Sequence, residues 1–169
     1  MNCEIRLAGV IRESIVDGPG IRFVVFTQGC PHYCKGCHNP KTHDVTAGYI
    51  SQTDNLISAI KENPMIMGVT LSGGEPFLQS RQLVEFAKEV HAMGLDILTY
   101  TGYTFEELLA NKEKNPYRYK LLEQTDILID GKFIEEQKSL MLRFRGSKNQ
   151  RIIDVKKSLE CGKAIETEV

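Results

Sequence analysis

The sequence predicts an α/β fold, an open, partial β/α barrel made by a single domain over residues 1–169. Three observations predict it. Short β-branched and apolar runs alternate with amphipathic stretches, and each strand-like run ends in a Gly-rich or polar turn, the pattern of successive βαβ units. The length of 169 residues suits one domain with a real core. A complete eight-fold barrel takes about 250 residues and at least roughly 200, so this chain supplies only part of one. The missing wall leaves the C-terminal strand ends, where α/β sites gather, open to something larger than a metabolite.

Residues 5–10 read as a short first strand, and residues 21–27 (IRFVVFT) as the clearest one, bounded by DGPG before and QGC after. A helix is expected over 53–61. Residues 68–72 (GVTLS) form the next strand, ended by two glycines. Residues 80–93 place Leu83, Val84, Phe86, Ala87 and Val90 on one helical face. Strand 96–101 (DILTYT), helix 104–109, an exposed loop at 110–118 (ANKEKNPYR) and helix 119–123 follow. Strands at 126–130 (DILID) and 151–155 complete the set. The strands are nearly all apolar, as strands covered on both faces by helices would be.

Composition excludes several classes. Hydrophobic residues make up 41% and charged ones 25%, with a net charge of −1, so no overall charge draws the chain to nucleic acid or a membrane surface. Glu4, Arg6, Arg12, Glu13 and Asp17 break the N-terminal apolar residues, which excludes a signal peptide's apolar segment. No stretch approaches the roughly 18 apolar residues of a membrane helix. A cytoplasmic location follows as the expectation, and the five cysteines, three clustered and two apart, do not suggest a disulfide framework.

The cluster lies directly after the strand at 21–27, in GCPHYCKGCHNP, where Cys30, Cys34 and Cys37 are spaced C-x3-C-x2-C with no fourth cysteine nearby. Three uses of these thiols are open. With His38 they can hold a structural zinc, although a ligand adjacent to Cys37 suits a tetrahedral site poorly. With Cys3 or Cys161 they can hold the four-cysteine cluster of a small electron-transfer protein. Alone they can hold a four-iron cluster whose fourth iron stays open to a further ligand.

Other strand ends carry polar groups. In GVTLSGGEPF, Gly73 and Gly74 let main-chain groups approach a ligand, and Glu75 can accept hydrogen bonds from an ammonium; taken alone, two glycines there are a turn. Thr101 and Gly102 follow the next strand. Asp130, Gly131 and Lys132 follow the one after, where the two charges can be an ordinary surface ion pair that contributes little. Asp17, Gly18, Pro19, Gly20 and Arg22 form a turn into a strand. Arg143, Arg145, Lys148 and Arg151, in RFRGSKNQR, make a solvated face, a phosphate loop or a docking surface; with only Phe144 beside them, nucleic-acid binding is not expected. His32, His38, His43 and His91 show no individual role.

The C-x3-C-x2-C segment followed by GGE resembles the radical S-adenosylmethionine (SAM) superfamily. That resemblance implies a [4Fe-4S] cluster held by Cys30, Cys34 and Cys37, with SAM chelating the open iron. The backbone around Gly36, Cys37 and His38 can then line the adenine, with Asn39 also at the cofactor. Gly73, Gly74, Glu75 and Thr101 then serve the SAM amino group, and Asp130 and Lys132 the ribose and the methionine carboxylate. Gly36 departs from the superfamily, which often has an aromatic residue there.

DGPGIR followed by FTQGC resembles the activases of glycyl radical enzymes, in which this segment lies beside the substrate's glycine loop. TGYTFEEL, DILIDGKFIEE and RFRGSKNQR resemble the short activases of the anaerobic (class III) ribonucleotide reductase rather than the longer pyruvate formate-lyase activase, which remains the alternative. The activity implied is reductive cleavage of SAM to a 5′-deoxyadenosyl radical, which takes a hydrogen atom from a glycine Cα. The implied partners are the reductase large subunit and a one-electron donor such as a flavodoxin. Residues beyond about 156 match no named pattern.

Overall fold

In a computed structural model that describes residues 2–169, the strands are β1 (Glu4–Ser14), β2 (Arg22–Thr27), β3 (Tyr49–Gln52), β4 (Gly68–Gly73), β5 (Asp96–Tyr100), β6 (Ile127–Asp130) and β7 (Arg151–Asp154). The helices are α1 (Thr53–Lys61), α2 (Ser80–Ala92), α3 (Phe105–Ala110), α4 (Pro116–Gln124) and α5 (Val155–Cys161). All seven strands form one open sheet in the order β3-β1-β2-β4-β5-β6-β7. Its centre, β2-β4-β5-β6, is parallel. The outer strands β1, β3 and β7 run antiparallel to their neighbours.

The parallel centre has a direct consequence for function. The loops after β2, β4, β5 and β6 all leave from the same edge, so the residues of QGC, GGE, TGY and DGK meet there.

One face of the sheet carries the main core. Phe23, Val25, Val69, Leu71, Ile97 and Leu128 pack against residues of all five helices, including Leu56, Phe86, Phe105, Leu121 and Val155. Helix ends follow local chemistry. Thr104 caps α3 by accepting from the Glu107 N–H at 3.1 Å, and Asp154 caps α5 by accepting from Lys157 at 3.0 Å. Gly162, at φ 73°, closes α5 in the left-handed conformation.

The other face is not sheathed by helices, contrary to the expectation from apolar strands. It carries a small cluster of Leu98, Ile129 and Ile152 with Phe144 against it. Beside that cluster lie hydrogen-bonded polar side chains: buried Arg22 donates to Thr70 Oγ1 at 2.8 Å, and the hydroxyl of half-buried Tyr100 to the Phe144 carbonyl at 2.7 Å. Hydrogen-bonded polar residues thus take the places that a second helical layer would need to be apolar.

Three further elements differ from expectation. β3 pairs with β1 although Tyr49 and Ile50 are exposed, because an edge strand needs backbone partners rather than a buried face. α4 begins at Pro116, inside the stretch expected to be loop; proline at the first helical position is well placed there. Val155 opens α5 rather than ending the strand before it.

Candidate functional site

The β2–β3 connection that carries the cysteines is closed at its base by hydrogen bonds. Buried Gln28 donates through Nε2 to the carbonyls of Lys41 and Asp44 at 2.8 and 2.7 Å. Gly29 N–H donates to Thr42 at 2.7 Å and Cys30 N–H to His43 at 3.2 Å. Within the loop, Cys37 N–H donates to the Cys34 carbonyl at 3.1 Å, and Gly36 takes the positive φ of 75° that this tight turn requires. Cys30, Cys34 and Cys37 are all half-buried free thiols. The Asn39 N–H points at Cys37 Sγ, 3.4 Å away. Burial pushes the Cys30 thiol up, with the Glu75 carboxylate and Cys34 adding to it against donation from the His32 and Tyr33 backbone. Cys3 sits beside Thr53 at the start of α1, and Cys161 is exposed at the end of α5.

Gly73, the last residue of β4, and Gly74 are placed by the sequence to admit a ligand. In the structure they admit the cysteine loop. A Cβ on Gly73 would stand 2.4 Å from the Thr27 nitrogen, and one on Gly74 2.3 Å from the Gly29 carbonyl oxygen. Gly74 N–H donates to Thr27 and Glu75 N–H to Gly29, both at 2.8 Å. Residues 73–75 therefore hold the base of the loop that carries the thiols.

Glu75 is fully buried, at 0% exposure. Its carboxylate accepts from the Thr101 hydroxyl at 2.9 Å, Gly102 N–H at 2.8 Å, Phe77 N–H at 3.1 Å and His32 Nε2 at 2.6 Å. His32, assigned no role from sequence, is thus part of the site. The one available signal was its place between Cys30 and Cys34.

After β6, the two charges separate. Asp130, 1% exposed, accepts from Arg151 and from the Phe105 N–H at 2.8 Å, so it is tied to protein. Lys132 is exposed and, among the described residues, its ammonium has no ion pair; it borders a cavity of about 540 Å³ shared with Gly102, Thr104 and Asn149. The ordinary surface pair that the sequence leaves open between Asp130 and Lys132 does not form. Arg151, counted from sequence with the basic run, is Asp130's partner instead.

The 4Fe-4S single cluster domain family matches residues 16–153. The chain is 37% identical over 147 residues to the anaerobic ribonucleoside-triphosphate reductase-activating protein of Vibrio cholerae serotype O1, covering 82% of this chain and 90% of that protein. It is 34% identical over 145 residues to the protein of that name from Escherichia coli K12, covering 80% and 90% of the two. The chain belongs to the family of anaerobic ribonucleoside-triphosphate reductase-activating proteins. A relative from phage T4 is 34% identical over 144 residues, covering 81% of this chain and 86% of its own length.

The residues of this activating-protein chain fit a 4Fe-4S cluster. Three free thiols lie on one loop, with a backbone N–H directed at one sulfur, the kind of contact that tunes such clusters. Among the described residues no three His, Cys, Asp or Glu side chains converge on a point that could hold a single metal ion. Each thiolate on a four-iron cluster binds a different iron, so such a set needs no common point. His38, the extra ligand of the zinc alternative, lies against the Phe133 ring at 5.0 Å.

The DGPG turn lies elsewhere. It precedes β2 while the cysteines follow it, so at about 3.3 Å per residue the two are separated by roughly 17 Å of strand. Arg22 is wholly buried, holding the turn through the Pro19 carbonyl at 3.1 Å and reaching Asp96 at 2.5 Å.

Proposed function

We propose that this chain activates an anaerobic ribonucleotide reductase by generating a glycyl radical on it, as a radical SAM enzyme. The observation that carries the proposal is the single strand-end edge. There a loop with three free thiols is knitted to residues 73–75, beside the exposed ammonium of Lys132. When bound, a [4Fe-4S] cluster and SAM supply one-electron reductive cleavage to a 5′-deoxyadenosyl radical, which abstracts a glycine Cα hydrogen of the reductase.

The chain's own part is positioning. Cys30, Cys34 and Cys37 hold the cluster and leave one iron open. The backbone of Gly36, Cys37 and His38 lines the adenine, and Asn39 stands beside it. Glu75 and Thr101, with Gly73 and Gly74 seating the cysteine loop beside them, receive the amino group, which shares the Glu75 carboxylate with its protein donors. Lys132 is the cation for the methionine carboxylate, and Asp130, both of whose oxygens are held by Arg151, serves the ribose side by fixing the strand end rather than by touching it. The face of the sheet that no helix covers, between the DGPG turn and the cysteine loop, receives an extended segment of the partner over the side chains that already bury Val24, Leu98 and Ile129. Asp17, Gly18, Pro19 and Gly20 border its far end, with Arg22 beneath them. The parallel β2-β4-β5-β6 run supports reading the open sheet as a partial β/α barrel.

Electrons come from a one-electron donor such as a flavodoxin. The names of the relatives favour the reductase over pyruvate formate-lyase as the partner. The test is anaerobic incubation of reconstituted protein with SAM, a reductant and the reductase, followed by electron paramagnetic resonance. A glycyl-radical doublet on the reductase is expected. A doublet on pyruvate formate-lyase alone, or none on either, overturns the proposal.

A further inference from the structure

His32 lies in the cysteine loop between Cys30 and Cys34, yet its side chain is only 7% exposed. The ring stands edge-on to Tyr103 at 4.7 Å, and a Cβ on Gly102 would fall 2.4 Å from its Cδ2 atom. Its Nε2 meets Glu75 Oε1 at 2.6 Å. The other donors to that carboxylate, Thr101, Gly102 and Phe77, belong to segments that follow β4 and β5. His32 is therefore the donor that the cysteine loop supplies. A carboxylate buried this deeply is stable only with its oxygens satisfied, so the contact is held tightly.

We propose that His32 is a positioning residue: through Glu75 it fixes the cysteine loop against the ends of β4 and β5, and so sets where the open iron stands relative to the groups that receive SAM. An ammonium reaching Glu75 shares that carboxylate with His32. Loop position and amino-group binding are coupled through the one side chain. The part concerning SAM rests on the function proposed above; the part concerning the loop stands on geometry alone.

The test compares anaerobically reconstituted wild type, His32→Ala and His32→Gln. Two quantities are read: the rate at which an iron chelator strips the cluster, and the SAM concentration needed to change the electron paramagnetic resonance spectrum of the reduced cluster. Loss of a group that orients metal ligands typically costs about 10-fold or more. His32→Ala is expected to lose iron about 10-fold faster and to need about 10-fold more SAM. His32→Gln, whose amide can donate to Glu75, should recover most of both.

A histidine that only fills space would give no such rescue, and one that only stabilised the fold would leave the SAM concentration unmoved. Should His32→Ala not fold, Gly102→Ala, which displaces the ring while keeping the histidine, takes its place in the comparison. Wild-type rates in the alanine variants, or a glutamine variant no better than alanine, overturn the proposal. A wild-type spectrum indifferent to SAM overturns the proposed function instead, and the chelator rates still decide the role of His32.

Discussion

The Arg151 guanidinium grips both oxygens of the Asp130 carboxylate, Nε to Oδ1 at 3.0 Å and Nη2 to Oδ2 at 2.6 Å, from the position directly opposite in the β6–β7 register. The same nitrogen reaches Glu106 on the outer side at 2.7 Å. Asp130 is 1% exposed, so removing Arg151 leaves a buried carboxylate with only the Phe105 N–H. Breaking a buried pair from one side typically costs about 3 kcal/mol or more. Arg151→Met should therefore lower the thermal midpoint by roughly 6 to 12 °C, at about 2 to 4 °C per kcal/mol for a chain of this size. An unchanged midpoint would show that the pair holds nothing together.

Lys132 should behave in the opposite way. Its side chain is exposed and its ammonium carries no ion pair among the described residues, so Lys132→Ala should leave stability within about 0.5 kcal/mol of wild type. If the ammonium meets the SAM carboxylate, the variant loses a charge-assisted hydrogen bond worth about 1.5 to 3 kcal/mol. The KM for SAM then rises roughly 10- to 100-fold while the melting curve stays in place. A variant with normal SAM kinetics would remove Lys132 from the site.

How far the sequence discloses this molecule depends on the kind of signal each residue leaves. Residues 21–27 and 80–93 leave strong ones, because buried strands and amphipathic helices write their period into the chain, and both appear within two residues of expectation. β3 leaves none, since its exposed Tyr49 and Ile50 are fixed by backbone pairing. The helix-free second face is hidden for a related reason: Val24 and Leu98, both fully buried, look the same in sequence whether a helix or loops and polar side chains cover them. At the site, the cysteines and residues 73–75 announce themselves by type and spacing. What the spacing cannot convey is direction, so Glu75 was legible as an acceptor but not as one already filled by His32 and Thr101. The Asp130–Arg151 pair spans 21 residues, and only the antiparallel return of β7 brings it together.

The close approach at Gly74 gives a sharper test of residues 73–75. A Cβ there would lie 2.3 Å from the Gly29 carbonyl and 2.9 Å from that of Thr42, both backbone atoms that cannot swing aside. Gly74→Ala must shift the base of the cysteine loop. Iron bound after anaerobic reconstitution should fall well below wild type. Gly9→Ala is the control, since nothing lies within 4 Å of its Cβ position and it should bind iron normally. Equal iron in the two variants would mean that the loop adjusts freely and that the approach of Gly74 to Gly29 has no bearing on the cluster.

Leu140 and Met141 are 91% and 93% exposed at the tip of the β6–β7 connection, which leaves the same edge as the cysteine loop. The tip is presented rather than loose: Lys138 bridges to Ser147, Ser139 N–H donates to the Gly146 carbonyl at 3.3 Å, and Lys148 N–H to Gln137 at 3.0 Å. Two large apolar side chains held in water add nothing to folding, so Leu140→Ser with Met141→Ser should melt like wild type. Burying either against a partner is worth about 1.5 to 3 kcal/mol. If the reductase docks here, the double variant should need at least roughly 10-fold more reductase for half-maximal glycyl radical. Iron content and SAM cleavage without the reductase should not change. The measurement is a titration of reductase against radical yield by electron paramagnetic resonance, and superimposable curves would place the docking surface elsewhere on the chain.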